Sequence, residues 1–303
     1  MVGMTPARTP TDALDDLIAA LRRSRFHTGI RCPRCGGLRT HRWGTFRSRQ
    51  RYRCASCRRT FSDLTCSPAA YIKKIQLWPD YAAMLASGAS LRAAASALGI
   101  HISTAFRWRH ALLRSLDSLD GEMLCGWVEI ASWRVALSEK GSRTLRRPAR
   151  RRGYRPGSHG DPRQVHVLAA CDRVGHCLSL RAGPSPWPPG REAFRQWLGN
   201  RVSVPPVIIE ARGRFCAGGR FARSQGGTFR DARPAPDRQL RSLVSTDFAR
   251  DYLARLGSWL QRFRGVSTRY LPNYLIWHRT VDREARRGIG QEALRWPAHA
   301  SLQ

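Results

Sequence analysis

The chain has 303 residues, with 53 Lys or Arg against 21 Asp or Glu, which gives a formal net charge of +32. Its length suits two or three domains, and its charge favours a polyanion such as nucleic acid, bound through phosphate neutralisation. The sequence contains no apolar run of about 18 residues and no charged-then-apolar N-terminal order, which argues against a membrane span and a signal peptide. We therefore expect a soluble intracellular protein with no membrane partner.

The first predicted element is a leading helix within residues 1–28. In the segment TDALDDLIAALRRS, residues 11–24, leucine and isoleucine recur at helical spacing. Acidic residues fall in its first turn and arginines in its last, which complements the helix dipole.

Two CxxC pairs follow, in CPRCG at 32–36 and YRCASC at 52–57, with eighteen residues between the pairs. Four thiolates at this spacing can close a tetrahedral zinc site and leave no open position for catalysis. The surrounding segment, residues 29–66, has little core of its own, and zinc would supply about 10 to 16 kcal/mol of apparent folding free energy. We predict a zinc ribbon with structural Zn²⁺ on Cys32, Cys35, Cys54 and Cys57.

The alternative for these four residues is a set of unpaired or disulfide-linked cysteines. The five other cysteines lack metal-ligand spacing, and we interpret them as ordinary buried or idle thiols: Cys66, Cys125, Cys171, Cys177 and Cys216.

Residues 67–118 predict a helix-turn-helix region. In ASLRAAASALGIHISTAFRWRHALL, residues 89–113, Ser90 can cap a first helix, Gly99 can supply the turn and Ser103 can cap a second helix. Some polar and aromatic residues of the second helix are expected in the protein core and others at the groove or the backbone of DNA. Arg107 is the one expected nearest to base edges or phosphates. The candidate DNA contacts are Ser103, Thr104, Arg107, Arg109 and His110. An ordinary αα-hairpin is the alternative.

After Gly126 the pattern changes to an α/β domain. Short apolar segments predict strands at 127–137, 165–171, 177–181 and 206–210, and helices are predicted at 191–199 and about 247–263. Residues 140–155 carry eight cations and no acid, and form either a solvated loop or a phosphate-contacting loop with Arg150, Arg151 and Arg152 as candidates. Residues 211–241 are rich in Gly, Arg and Pro and are predicted to be poorly ordered.

Five pieces of the chain, in order, carry a resemblance to a known family. They are the CPRCG ribbon, STAFRWRH at 103–110, GWVEI at 126–130, QVHVLAACDR at 164–173 and WLQRFRGVSTRYLPNYL at 259–275. The chain resembles the bacterial transposases of the insertion-sequence 1595 family.

This resemblance implies an RNase H-like mixed-sheet domain at about 120–280, followed by a C-terminal tail at 281–303. In that family, carboxylates hold two divalent ions, which activate water or a 3′ hydroxyl to cut or join DNA. The implied partner is double-stranded DNA at transposon ends, with a homo-oligomer assembled on it, and the implied location is the cytoplasm, in association with the bacterial nucleoid.

The catalytic positions of that family carry other residues here. The first-strand aspartate falls on Ala131, the second on Arg212, the late-helix ligand on Arg250 and a later lysine on Gly257. A methyl group cannot ligate Mg²⁺, so no catalytic residue is assigned, and catalytic Mg²⁺ is expected only if activity is retained. The alternative is a displaced site, with carboxylates contributed by Glu129, Glu210 and Asp251.

The sequence therefore predicts a DNA-binding transposase by descent that has lost its catalytic acids. The alternative function is a DNA-binding regulator, or a competitor for transposon ends, without enzymatic activity.

Overall fold

The computed structural model describes residues 15, 18, 19, 22, 23, 26, 28–47, 49–117, 123–145, 164–182, 191–210, 217–232 and 244–286. The chain divides into two compact units, one of Met1–Asp120 with Glu284–Gln303 and the other of Gly121–Arg283. Among the described residues, no helix combines the length and the apolar character needed to cross a bilayer.

The first unit begins with a three-stranded antiparallel sheet of β1 (Thr40–Phe46), β2 (Arg49–Cys54) and β3 (Thr60–Ser62). Its core is small, with Tyr52 stacked on Phe61 at 5.4 Å between ring centroids. The described residues between 15 and 26 are helical. Arg22, in this segment, donates to Asp63 at 2.9 Å and thereby ties the leading helix to the sheet.

Three helices follow the sheet in the first unit. A 3-10 turn (Ile75–Leu77) leads into α1 (Trp78–Ala86), which is followed by α2 (Leu91–Ala97) and α3 (Ile102–Asp117). The predicted cap at Ser90 is confirmed, because its side chain accepts a hydrogen bond from the backbone N–H of Ala93. Gly99 has φ +57°, in the left-handed region that favours glycine, and forms the predicted turn between α2 and α3.

The predicted cap of α3 at Ser103 is wrong by two residues. The backbone N–H groups of Thr104 and Ala105 donate to the carbonyl oxygen of His101, and the backbone N–H of Ser103 donates to the His101 ring at 3.2 Å. The helix therefore begins at Ile102, and Ser103 lies in its first turn.

The second unit contains a five-stranded mixed sheet of β4 (Trp127–Ala136), β5 (Gln164–Asp172), β6 (Cys177–Ala182), β7 (Val207–Glu210) and β8 (Thr228–Asp231). Its strand order is β6-β5-β4-β7-β8. The first three pair antiparallel, while β7 runs parallel to β4 and β8 runs parallel to β7. The predicted α/β class is confirmed, as are the predicted strands.

Helices cover both faces of this sheet. On one face, α4 (Arg191–Leu198) and α5 (Ala217–Ser224) pack on Val128 and Ile130 of β4. On the other face, α6 (Asp247–Gln261) and α7 (Leu271–Arg286) pack on Ala131 and Trp133 of the same strand. Because side chains alternate along a strand, even-numbered residues of β4 face α4 and α5, and odd-numbered residues face α6 and α7.

The prediction that residues 211–241 are poorly ordered is wrong for 217–232, which contain α5 and β8. Few apolar residues mark these elements in the sequence, but Phe221 and Ala222 are fully buried against the sheet. Tertiary packing thus overrides a weak local signal, and the rest of the segment, including Arg212, lies outside the described residues.

Cys171 and Cys177, which we interpreted as ordinary buried or idle thiols, are buried, but they are not free thiols, because the structure joins them in a disulfide. They face each other across the β5–β6 hairpin, with their Cα atoms 4.2 Å apart. Strand register creates this pair, which CxxC spacing could not reveal. Cys66 and Cys125 are free, and Cys216 lies outside the described residues.

Candidate functional site

The four predicted zinc ligands meet at one point. The sulfur atoms of Cys32, Cys35, Cys54 and Cys57 all lie within 4.8 Å of one another. Two of the contacts, Cys32 to Cys57 and Cys35 to Cys54, are 3.6 Å long. A tetrahedral site with Zn–S bonds of about 2.3 Å requires sulfur atoms about 3.8 Å apart, so the cluster fits a zinc ion.

The chain around the first pair is shaped to bring these sulfurs together. Gly36 adopts φ +71°, and its N–H donates to the carbonyl oxygen of Cys32 at 2.9 Å, which closes the turn. A Cβ atom at Gly37 would lie 3.3 Å from the sulfur of Cys54 and 2.9 Å from Oγ of Ser56. These two glycines allow the backbone to pass close to the metal position.

One sulfur of the cluster, that of Cys54, favours the thiolate form, whereas hydrogen bonds with Cys57 and Cys54 raise the pKa of Cys35. The backbone N–H of Cys57 donates to the sulfur of Cys54 and lowers the pKa of that thiol to about 6. Thiolate is the form that binds metal. When bound, zinc would cross-link the two CxxC turns and add to the stability that the small core of this sheet supplies.

The predicted DNA contacts on α3 separate into exposed and buried residues. Ser103 and Arg107 are exposed and Thr104 is half-buried. Arg109 is only 1% exposed and donates to the carbonyl oxygen of Ala89 at 2.6 Å, while His110 is 4% exposed. Burial lowers the pKa of His110 to about 4, so it is neutral at pH 7. Arg109 and His110 therefore lie inside the helical bundle, and neither offers its side chain to a ligand.

The predicted basic loop is described only in part. Arg150, Arg151 and Arg152 lie outside the described residues. At its start, Lys140 donates to the carbonyl oxygens of Phe263, Arg264 and Gly265, the last of them at 2.9 Å. Lys140 thus binds the chain just beyond the C-terminus of α6.

Glu129 has a specific partner on the sheet face that carries Ala131. The Glu129 side chain is fully buried, and its Oε2 accepts the backbone N–H of Phe248, in the first turn of α6, at 2.9 Å. Nε of Arg173 lies 3.6 Å from Oε1. Burial raises the pKa of Glu129, while the N–H groups of Ala249 and Phe248 and the charge of Arg173 oppose that increase. Glu129 therefore caps a helix from a neighbouring strand.

Glu210 also caps a helix, on the opposite face of the sheet. It pairs in register with Ile130 and so points toward α5, where its Oε2 accepts the backbone N–H of Gly218 at 3.0 Å. Asp251 is exposed on α6. The structure does not bring the three carboxylates of the displaced site together, because Glu129 and Glu210 lie on opposite faces of the sheet.

Two further positions of the implied catalytic site, Arg250 and Gly257, lie among the described residues, whereas Arg212 does not. Arg250 is exposed, and its Nη1 lies 3.9 Å from Oδ1 of Asp247 on the same helix. Gly257 faces Trp133, since a Cβ atom added to it would lie 3.7 Å from two carbons of the Trp133 ring. Ala131 and Trp133 thus give this part of the sheet an apolar surface.

One buried acid escaped the sequence analysis. Asp172, at the end of β5, is fully buried and accepts the backbone N–H groups of Val174, Gly175 and His176 through Oδ1. Its Oδ2 accepts the N–H of Cys125 at 3.0 Å. The D-R-V-G segment, an acid followed by a glycine after a strand, is the turn signal that could have identified this structural role.

The antiparallel sheet with its four-cysteine cluster defines the N-terminal part of the chain as a zinc ribbon. Residues 15–60 match the transposase zinc-ribbon domain of the insertion-sequence 1595 type. The match begins before the first CxxC pair, within the helix that Arg22 ties to the sheet.

The chain is also similar to the uncharacterized protein in transposable element ISH50 of Halobacterium salinarum. The two are 31% identical over 152 residues, which cover 48% of this chain and 51% of that relative. This chain thus matches about half the length of the relative. Both comparisons support a relationship to insertion-sequence 1595 transposases, and the four-cysteine cluster supports structural zinc.

Proposed function

We propose that this protein binds double-stranded DNA at transposon ends, as a transposase-type protein whose sheet domain does not cut DNA. The match of residues 15–60 to a transposase zinc-ribbon domain is the observation that carries the proposal. The proposed division has a ribbon at 29–66, a helix-turn-helix region at 67–118 and an RNase H-like domain at 120–280. The net charge of +32 supports a nucleic-acid partner.

The proposed duplex-binding surface is the exposed side of α3. Ser103, Arg107 and Arg114 are all exposed and follow one another at intervals of four and seven residues, which puts them on one side of the helix. The short α2 and the turn at Gly99 precede α3 in the order expected for a helix-turn-helix. Arg107 is the proposed contact to a base edge or phosphate.

The RNase H-like assignment has the mixed sheet as its support. Its three antiparallel strands followed by two parallel strands, with helices on both faces, form the mixed-sheet architecture that the resemblance implies. Its first strand is β4, which contains the position of the implied catalytic aspartate.

The proposed loss of catalysis is supported by what the carboxylates of this sheet do. Two-metal chemistry requires acids that converge on metal ions about 3.5 to 4 Å apart. Ala131 offers no ligand, Glu129 binds the N-terminus of α6, and Glu210 binds the N-terminus of α5 on the other face. These hydrogen bonds give both glutamates structural roles, which favours the second candidate function, a regulator or a competitor for transposon ends.

A cleavage assay tests the catalytic part of the proposal. We expect the full-length protein, incubated with a labelled transposon end and Mn²⁺, to give no nicked or joined product. Ala131→Asp alone should also give none, because the other positions would still lack ligands. A product that disappears in Glu129→Gln would contradict this part of the proposal.

A binding assay tests the DNA-binding part. Arg107→Ala should weaken binding to a duplex transposon end by about fivefold to a hundredfold at fixed salt, the effect expected for loss of a base contact. Arg223→Ala, at an exposed arginine of α5, makes the same charge change and serves as the control. Equal affinities of the two variants would exclude α3 as the reading helix.

A further inference from the structure

A cavity of about 530 Å³ lies in the first unit, beside the ribbon sheet. It opens between the end of the β1–β2 hairpin, strand β3 and the chain that follows β3, and we call it the ribbon groove. Its lining residues are Arg34, Phe46, Arg47, Arg49, Arg51, Thr60, Phe61, Ser62, Leu64, Thr65, Ala70, Tyr71, Ile72 and Lys73. It does not include the proposed duplex-binding surface of α3.

The charge of the ribbon groove has one sign. Five of its lining residues are cations, and none of the lining residues in the described part of the chain is acidic. The nearest acid in sequence, Asp63, is only 4% exposed and binds Arg22. Cations that converge on a concave surface without acids attract a polyanion, since each phosphate bound releases condensed counterions.

Two aromatic side chains are exposed in the same groove. Phe46 is 58% exposed at the end of β1, and Tyr71 is 89% exposed. The guanidinium of Arg47 lies 5.3 Å from the centre of the Phe46 ring. Cations beside exposed ring faces are the combination by which proteins bind unpaired nucleotides, because phosphates contact the cations and bases stack on the rings.

Positive φ angles at Tyr71 and at Arg47, the residue after Phe46, support a functional interpretation of the groove. Arg47, next to Phe46, has φ 50°, and Tyr71 has φ 63°. Both conformations are unfavourable for residues with a Cβ atom, and such strain concentrates where a side chain must be presented to a ligand. The strained backbone at Tyr71 holds a large ring in solvent, although the hydrophobic effect favours burial of such a ring.

We propose that the ribbon groove binds an unpaired segment of single-stranded DNA, with its phosphates on Arg47, Arg49 and Lys73 and its bases on Phe46 and Tyr71. A base-paired duplex would leave these rings unused, because its base faces are covered by stacking. The choice of DNA over RNA rests on the proposed function as a transposase-type protein. The groove and its single-strand binding do not depend on duplex recognition by α3.

The test measures binding of the full-length, zinc-loaded protein to a labelled oligothymidylate of about 12 nucleotides, a length typical of single-strand sites. Fluorescence anisotropy at fixed salt gives the affinity. Tyr71→Ala should weaken binding by about fivefold to a hundredfold, as expected for one lost stacking contact, and should change duplex binding by less than about twofold. Arg47→Ala should reduce the slope of log affinity against log salt by about 0.7.

Phe248→Ala is the matched control, since Phe248 is an aromatic residue with 48% exposure in the other unit. It should bind oligothymidylate like the parent, and each variant should retain one zinc ion per chain. The proposal is overturned if Tyr71→Ala binds oligothymidylate as tightly as Phe248→Ala, or loses duplex and single-strand affinity equally. Binding of oligouridylate alone would identify an RNA site and also overturn it. An unchanged duplex affinity in Arg107→Ala would contradict only the proposed duplex binding by α3. It would leave the single-strand proposal intact, so the two proposals can fail separately.

Discussion

The cysteines of the ribbon and the carboxylates of the mixed sheet were both candidate metal ligands, but only the cysteines converge. Four sulfurs in the ribbon lie within 4.8 Å of one another. In the sheet, Glu129 and Glu210 occupy adjacent strands but point to opposite faces, and each accepts a backbone N–H from a different helix. The ribbon cysteines form a cluster that fits zinc, whereas these two acids help to hold helices on the sheet.

The difference follows from how each kind of site is encoded. A CxxC turn carries its own geometry, so two such turns need only a hairpin between them to meet. A carboxylate site on a sheet depends on strand register and on which face each side chain occupies, and a shift of one residue reverses the face. The spacing of cysteines is therefore more informative than the presence of acids near strand ends.

The largest effect is expected at the ribbon. Cys54→Ser should abolish zinc binding and unfold the three-stranded sheet, because metal binding supplies about 10 to 16 kcal/mol of apparent folding free energy to such a domain. Zinc analysis and hydrogen exchange of the β1–β3 amides would measure this. Cys66→Ser, at a free cysteine outside the cluster, should retain the metal and the protection. A folded, zinc-bound Cys54→Ser protein would contradict the structural role of the metal.

The sequence predicted those parts of the fold that local patterns encode. Short apolar segments predicted β4 to β7, and a helix predicted at about 247–263 corresponds to α6. Such signals are local to each segment. The structure adds α5 and β8, which the composition of 211–241 concealed. The Cys171–Cys177 disulfide, the buried Arg109 and the helix-capping role of Glu129 depend on contacts between residues distant in sequence or on strand pairing, and no local pattern encodes them.

The next largest effect tests the structural role of the sheet acids. Glu129→Ala should lower the free energy of unfolding by about 2 to 4 kcal/mol, through loss of a helix cap and creation of a cavity. Glu129→Gln should lower the free energy of unfolding by a smaller amount, because its amide oxygen can still accept the N–H of Phe248. Urea unfolding at pH 7 would give both values. Glu192→Ala, at an exposed glutamate of α4, is the control, and an equal loss there would argue against the capping role.

A smaller effect with a defined pH dependence is expected at Asp172. Burial opposes ionisation of this carboxyl, but hydrogen bonds from Cys125 and His176 outweigh it and lower its pKa. A lowered folded-state pKa stabilises the protein above the usual Asp pKa and loses that contribution as pH falls through the folded-state value. Asp172→Asn should therefore cost about 1 to 3 kcal/mol at pH 7, and the difference from the parent should shrink below about pH 4.

Urea unfolding at pH 7 and at pH 3 would measure this change. Asp251→Asn, at an exposed aspartate of α6, should alter neither value appreciably. A loss in Asp172→Asn that is the same at both pH values would show that ionisation of Asp172 does not contribute.

The smallest effect compares two helix glycines on opposite faces of the sheet. Gly257 occupies the position of the implied catalytic lysine and lies beside a cavity of about 280 Å³ that Trp133 also lines. A Cβ atom there would lie 3.7 Å from the Trp133 ring, an ordinary contact, so Gly257→Ala should stabilise the protein by about 0.5 to 1 kcal/mol through helix propensity. At Gly218 an added Cβ atom would lie 2.6 Å from Oε2 of Glu210, 3.2 Å from Cγ2 of Ile208 and 3.3 Å from Cδ1 of Ile130. Because the Glu210 carboxylate is held by the N–H of Gly218 and both isoleucines are buried, Gly218→Ala should destabilise the protein. A melting temperature of Gly218→Ala equal to or above that of the parent would show that the close approach of α5 to Glu210 is not required. A lower melting temperature of Gly257→Ala would contradict the favourable effect expected on the other face.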